Sequence, residues 1–207
     1  MRKIAGREDI KDLILDAVDV LLARYGYKKM TMDDVAREVG IGKGTIYLHF
    51  PGKEELVLAH IDRIATRVSD ELHKIARSAD PPAVRLKRML TARVLLRFDG
   101  VIHYSQNLGD LLSSVRPALL ARREKHFKVE ACELESVLRA GARSGDLACP
   151  DPPAASQTLI DCTNSLLPFN LSAGELGRRE ELEEKVDRIA SLVIDGLLPR
   201  GKRPSAA

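Results

Sequence analysis

Apolar residues recur three and four positions apart along almost the whole chain, in runs separated by Gly, Pro and Asp breaks, and no segment alternates with period two. That pattern predicts helices throughout. The first spans 7–24, with Ile10, Leu13, Ile14, Ala17, Val18 and Leu21 on its buried side, and Tyr25 and Gly26 end it. Two short helices follow within 30–50. A long helix over 53–77 keeps one stripe of Val57, Ile61, Ile64, Val68, Leu72 and Ile75, and Asp80, Pro81 and Pro82 stop it. Another covers 83–97, with Leu86, Leu90, Val94 and Leu95 inward. Segment 101–113 reads as a short helix interrupted near Gly109. Arg116 and Pro117 then open a helix striped by Leu120, Phe127, Ala131, Leu134 and Leu138, which ends at Gly141 to Gly145. The last two helices are expected over 153–167 and 179–198, with a loop at 171–177 between them.

The 30–56 stretch, MTMDDVAREVGIGKGTIYLHFPGKEEL, organises the rest. Thr31 stands where a hydroxyl caps a helix, and Asp33 and Asp34 occupy a first turn that the helix dipole makes favourable for acids. Met32, Val35, Ala36 and Val39 give one apolar face. Gly40 is the residue able to turn left-handed and stop that helix, and Ile41 turns inward before a second helix beginning near Gly42 or Lys43. A small residue at 36, a glycine at 40 and a branched aliphatic at 46 suit two helices crossing closely, so the segment reads as a helix-turn-helix over about 31–50. Lys43, Thr45, Tyr47 and His49 then offer a cation, a hydroxyl, a phenol and an imidazole from one short helix.

The run GIGKGTIYLHFPGKEEL resembles the recognition helix and the start of the next helix in the TetR/AcrR family of bacterial transcriptional repressors. The resemblance extends without a gap from Ala17 to Leu56 and includes Tyr25, Gly26, Thr31, Ala36, Gly40, Thr45, Tyr47, Phe50, Lys53 and Leu56. Gly42 departs from it, standing where the family often has a capping serine. The resemblance implies an all-α protein with a helix-turn-helix DNA-binding domain at 7–52, a helical ligand-binding and dimerisation domain at 53–198 and a basic tail at 199–207. It further implies that Thr31, Tyr47, His49 and Lys53 hold phosphates while Lys43, Gly44 and Thr45 approach the bases. The implied partner is palindromic double-stranded operator DNA, bound by a homodimer. A small-molecule effector would shift the long fourth helix and spoil the spacing of the two recognition helices.

Composition narrows the alternatives. The 33 Lys and Arg against 30 Asp and Glu leave a net charge of +3, too small to mark a nucleic-acid binder without the motif. Aromatics make up 4% and tryptophan is absent, in keeping with a helical fold. Cys132, Cys149 and Cys162 are odd in number and show no metal-finger spacing, as expected of reduced cysteines in a cytoplasmic protein. His60, His73 and His126 have no ligand-spaced partner, so neither metal nor cofactor is expected. No apolar run is long enough to span a bilayer, and the first residues lack the hydrophobic segment of a signal peptide.

In the C-terminal part, candidate pocket residues are those that break the apolar pattern: His103, Tyr104, Asn107, Phe127 and Asn164. Each has a plainer alternative as surface, core or satisfied amide. So few aromatics suit a small, mainly aliphatic ligand with a polar end better than a large flat one. The final helix has more apolar positions than one narrow face uses, so it and the helix before it are expected to form the dimer interface, through Ala155, Leu159, Leu182, Val186, Ile189, Val193 and Leu197. Two rival readings stay open: a DNA-binding regulator or activator without a ligand, and an enzyme on a helical scaffold.

Overall fold

The computed structural model describes residues 7–168 and 176–199. Residues 1–6, nearly all of the expected 199–207 tail and most of the expected 171–177 loop lie outside the described residues. The order is α1 (Arg7–Lys29), α2 (Met32–Val39), α3 (Lys43–His49), α4 (Lys53–Ala76), α5 (Pro82–Asp99), a 3-10 turn (Ile102–Asn107), α6 (Leu108–Ser144), α7 (Pro152–Asn164) and α8 (Arg179–Leu197). Among the described residues there is no strand.

Local chemistry accounts for most boundaries. Thr31 caps α2 reciprocally: its hydroxyl accepts from the Asp34 amide at 3.2 Å, and the Thr31 amide donates to the Asp34 carboxylate at 3.0 Å. Gly40 ends α2 in the left-handed region at φ 76°, and its amide and that of Ile41 both donate to the Ala36 carbonyl at 3.0 Å. Pro82 occupies the first turn of α5, where a missing amide costs no helix bond. Asp151 caps α7 by accepting from the Ala154 amide at 3.1 Å.

Helix α6 departs from expectation. It does not start at Arg116 but at Leu108, running 37 residues straight through Pro117, about 55 Å at 1.5 Å per residue. The stripe Leu108, Leu111, Leu112, Val115 and Leu119 is buried against the N-terminal helices, and that burial holds the first turns helical despite the bond lost at the proline. Starting earlier also fixes the rotation of the helix. Leu119 is buried, whereas Leu120, expected inside, is 43% exposed one residue, about 100°, further round. Helix α7 ends at Asn164 rather than running on to residue 167.

The core has two lobes. One joins Ile14, Val18 and Leu21 of α1 and Ile46 and Phe50 of the α3 region to Leu56, Val57 and Ile61 of α4 and Leu108 to Leu119 of α6. The other gathers Val68, Leu72 and Ile75 of α4 with Leu86, Met89 and Leu90 of α5, Leu134 and Leu138 of α6, Leu159 and Ile160 of α7, and Ala190 and Ile194 of α8. Helix α4 runs through both. The boundary expected at residues 52 and 53 coincides with the turn at Gly52, yet apolar packing is continuous across it.

Candidate nucleic-acid interface

Helix α3 is seven residues long and presents two unlike sides. Ile46 is fully buried, at 0% exposure, and anchors the helix to α1 and α2. Lys43, Gly44, Tyr47 and Leu48 lie on the opposite side and are all exposed, Tyr47 at 45% and Leu48 at 77%. With about 100° between residues, positions 43, 44, 47 and 48 share one face, while Thr45 and His49 turn to its flank and are half-buried. The structure thus puts Lys43, Gly44 and Tyr47 on one face together with Leu48. Alternate residues of a helix do not face one way, which separates Thr45 and His49 from the others. An exposed leucine on a helix with an otherwise buried apolar face was the signal for Leu48.

The electrostatics of this face are shaped by α2. Lys43 Nζ donates to the Asp33 carboxylate at 2.7 Å, and that hydrogen bond pushes the Lys43 pKa up. An exposed pair of this kind adds little stability, but it aims the ammonium group. Nothing lies within 4 Å of the place a Cβ on Gly44 would take, so no packing inside the chain calls for glycine there. Thr31 is exposed at the start of α2, with its hydroxyl donating to Asp34 at 2.7 Å.

Lys53 has an internal role. Its Nζ donates to the Lys28 carbonyl at 3.3 Å and lies 4.4 Å from the centre of the Tyr27 ring, and burial lowers its pKa. The contact latches the end of α1 to the first turn of α4. Lys28, in turn, pairs with Asp110 of α6 at 2.8 Å.

The expected pocket residues are dispersed. His103 is exposed. Tyr104 is buried, its hydroxyl 3.2 Å from Nε2 of the buried His60. Asn107 is wedged against Gly26 of α1. Phe127 and Asn164 do come together, on a group that the sequence reading missed. Arg93 donates to Asn164 Oδ1 at 2.8 Å and to Thr163 Oγ1 at 2.6 Å, and its guanidinium lies 4.6 Å from the centre of the Phe127 ring. Arg93 and Arg97 continue the buried stripe of Leu86 and Leu90 on α5, so charged residues at core-facing positions were the available sign.

Of the expected interface residues, Leu159, Leu182 and Val186 are buried in the chain's own core, whereas Ala155, Ile189, Val193 and Leu197 are partly exposed. The buried stripe of α8 is Leu182, Val186, Ala190 and Ile194, at four-residue spacing, which leaves Leu192 pointing outward at 78% exposure.

The architecture is a helix-turn-helix carried on a long-helix bundle. Residues 14–60 match the family described as bacterial regulatory proteins, tetR family. The HTH-type transcriptional repressor Rv3405c of Mycobacterium tuberculosis is 33% identical over 121 residues, covering 54% of this chain and 62% of that protein. A transcriptional regulator from Cytophaga hutchinsonii shares the fold with a TM-score of 0.75 at 22% identity, covering 91% of this chain and 98% of that one. So does the regulator FadR from Bacillus subtilis, solved with stearoyl-CoA, with a TM-score of 0.64 at 17% identity, covering 90% and 98% of the two chains. The matched segments span between 38% and 62% of the first curated relatives' own lengths. The match to the tetR family thus lies in the N-terminal part of the chain, at residues 14–60, and the chain as a whole is similar in fold to the solved regulators. No helix among the described residues is long and apolar enough to cross a membrane.

Proposed function

We propose that this protein is a repressor that binds a palindromic operator as a homodimer, through residues 7–52, and is released by a small molecule held in the domain formed by 53–198. The observation that carries the DNA-reading part is the outward face of α3. Lys43 and Tyr47 supply a cation and a phenol, Leu48 an apolar contact of the kind a thymine methyl accepts, and Gly44 a gap for close approach. Thr31, Thr45 and His49 flank this face, within reach of the backbone beside the groove. Lys53 serves by holding α1 to α4, and its phosphate contact requires that latch to swing outward.

The ligand-release part draws support from the route between the bundle and α4. Arg122 of α6 grips both oxygens of Glu55 at 2.6 and 2.7 Å and also bonds Asp62, while His126 Nε2 lies 2.9 Å from Asp62. Burial raises the Asp62 pKa, but the hydrogen bonds from His126 and Arg122 outweigh it and the net shift is downward. A displacement between α6 and α4 therefore reaches the first turn of α4, two residues beyond Lys53. FadR's stearoyl-CoA is a ligand held on the same fold. The ligand-independent reading is favoured by the tightness of the crevice between α4 and α6, about 10 Å³.

Gly44→Ala tests the DNA face. Alanine in place of a helical glycine with open space around it raises stability by up to about 1 kcal/mol, while operator affinity in a gel-shift titration falls. Lys43→Ala lowers affinity and reduces the log–log salt slope by about one. Unchanged binding in both variants would move the DNA face elsewhere.

A further inference from the structure

Arg93 and Arg97 are 0% and 2% exposed, and Glu130, at 0%, is the one buried acidic residue among the described residues. It serves both arginines: one oxygen lies 2.7 Å from Arg93 Nε and the other accepts from Arg97. The other partners of Arg93, Thr163 and Asn164, are neutral, and the remaining Arg97 bond goes to the Arg93 carbonyl at 2.9 Å. Two buried cations thus share one buried anion. Each ion taken from water carries a penalty of several kcal/mol, offset only by a well-placed counter-charge. Burial draws the Arg93 pKa down to about 10, with Glu130 opposing the shift, the direction expected where negative charge is short.

The excess charge stands at the wall of the α4–α6 crevice. Arg97 lines it, facing Ile61, Ile64 and Leu119, with Phe127 between Arg97 and Arg93, whose guanidiniums lie 5.8 and 4.6 Å from the ring centre. Asp62 on the opposite wall is committed to Arg122 and His126, and Asp161, which attracts Arg93, is exposed on α7. A cationic end beside an aliphatic wall is chemistry for an amphiphilic anion.

We propose that this crevice is the effector site and that the effector is a small organic acid. Its carboxylate supplies the second counter-charge beside Arg97, and its aliphatic part lies along Ile61, Ile64 and Leu119. This rests on the ligand-released reading above. With only about 10 Å³ between the walls, the acid enters when α4 and α6 part, which strains the Arg122 grip on Glu55 and Asp62. An acid that binds only the parted state shifts the population toward it.

The test compares octanoate, decanoate and phenylacetate with octanol, at matched ionic strength, on the full chain, reading melting temperature and operator release by fluorescence anisotropy. At least one of the acids is expected to raise Tm and release the operator, with octanol doing neither. Arg97→Gln should weaken acid binding about tenfold or more, the loss of one charge-assisted contact, and Arg97→Lys should retain part of it. Operator release by octanol alone, or equal acid binding by wild type and Arg97→Gln, would overturn the acid site and leave effector sensing standing. An acid-induced rise in Tm that Arg97→Gln loses, without operator release, would uphold the site and overturn the ligand-released reading. A wild type that responds to none of the acids overturns the proposal.

Discussion

A Cβ placed on Gly26 would lie 2.7 Å from Cγ of Asn107, so the 3-10 turn meets α1 at a point only glycine leaves open. Gly26 also breaks the helical geometry of α1, with φ 71° and ψ 170°, a conformation that side chains rarely adopt. Backbone and packing thus ask for the same residue. The contact joins α1 to the start of α6, beside the Lys28–Asp110 pair.

Gly26→Ala is accordingly expected to destabilise the fold by roughly 1–3 kcal/mol from backbone strain alone, with the clash adding to it. Asn107→Ala, which removes the obstructing side chain, should recover part of the loss. Urea unfolding of the two single variants and the double variant measures the coupling. Strict additivity would mean that the Asn107 contact contributes nothing.

The buried charge cluster predicts an asymmetric response. Glu130→Leu strands two buried guanidiniums and should cost about 3–5 kcal/mol, the range for breaking a buried pair from one side. Replacing Arg93, Arg97 and Glu130 together by apolar residues should cost much less. Chemical denaturation distinguishes the two, and equal losses would show that packing volume, rather than charge, sets the stability here.

Acid should weaken the fold through His60. Its ring is buried between α1, α4 and the 3-10 turn, with Asp16, Asp19, Arg63, Arg67 and Tyr104 around it, and burial, aided by Arg63 and Arg67, lowers its pKa from 6.5 to about 4. The folded ring stays neutral where the unfolded one takes up a proton. Stability from this site is therefore full above pH 6.5 and is lost as pH falls toward 4, by an amount on the order of 3 kcal/mol. A His60→Phe variant should flatten that part of the stability profile, and an unchanged slope would place the acid sensitivity elsewhere.

Assembly is best tested at Leu192, whose side chain is 78% exposed on α8 and makes no part of the core. In the proposed homodimer this residue meets the partner's surface, with Ile189 nearby. Leu192→Glu should leave thermal stability of the isolated chain nearly unchanged, separate the chains in light scattering and weaken operator binding with it. Val193 is a poorer probe because it packs partly against the core. A Leu192→Glu protein that remains dimeric would remove α8's outer face from the interface.

The helix-turn-helix was legible in the sequence because its determinants are local. Thr31 with Asp34, Gly40 and the spacing of Ala36 and Ile46 act within one or two turns, and the structure reproduces each at its expected place. The stripe of α4 was equally plain, since a long helix packed along one side repeats its apolar residues regularly. What tertiary packing decided was rotation and continuity. The start of α6 at Leu108 depended on burial against α1, and it turned Leu119 rather than Leu120 inward. Partners distant in sequence were likewise hidden. Glu130 comes within reach of Arg93 and Arg97 only because α6 crosses α5, and Leu182 and Val186 are used by the chain's own core because α8 packs on α5. Periodicity states that a helix has an apolar side, but which neighbour covers that side, and which charged residues are enclosed with it, is a property of the assembled bundle.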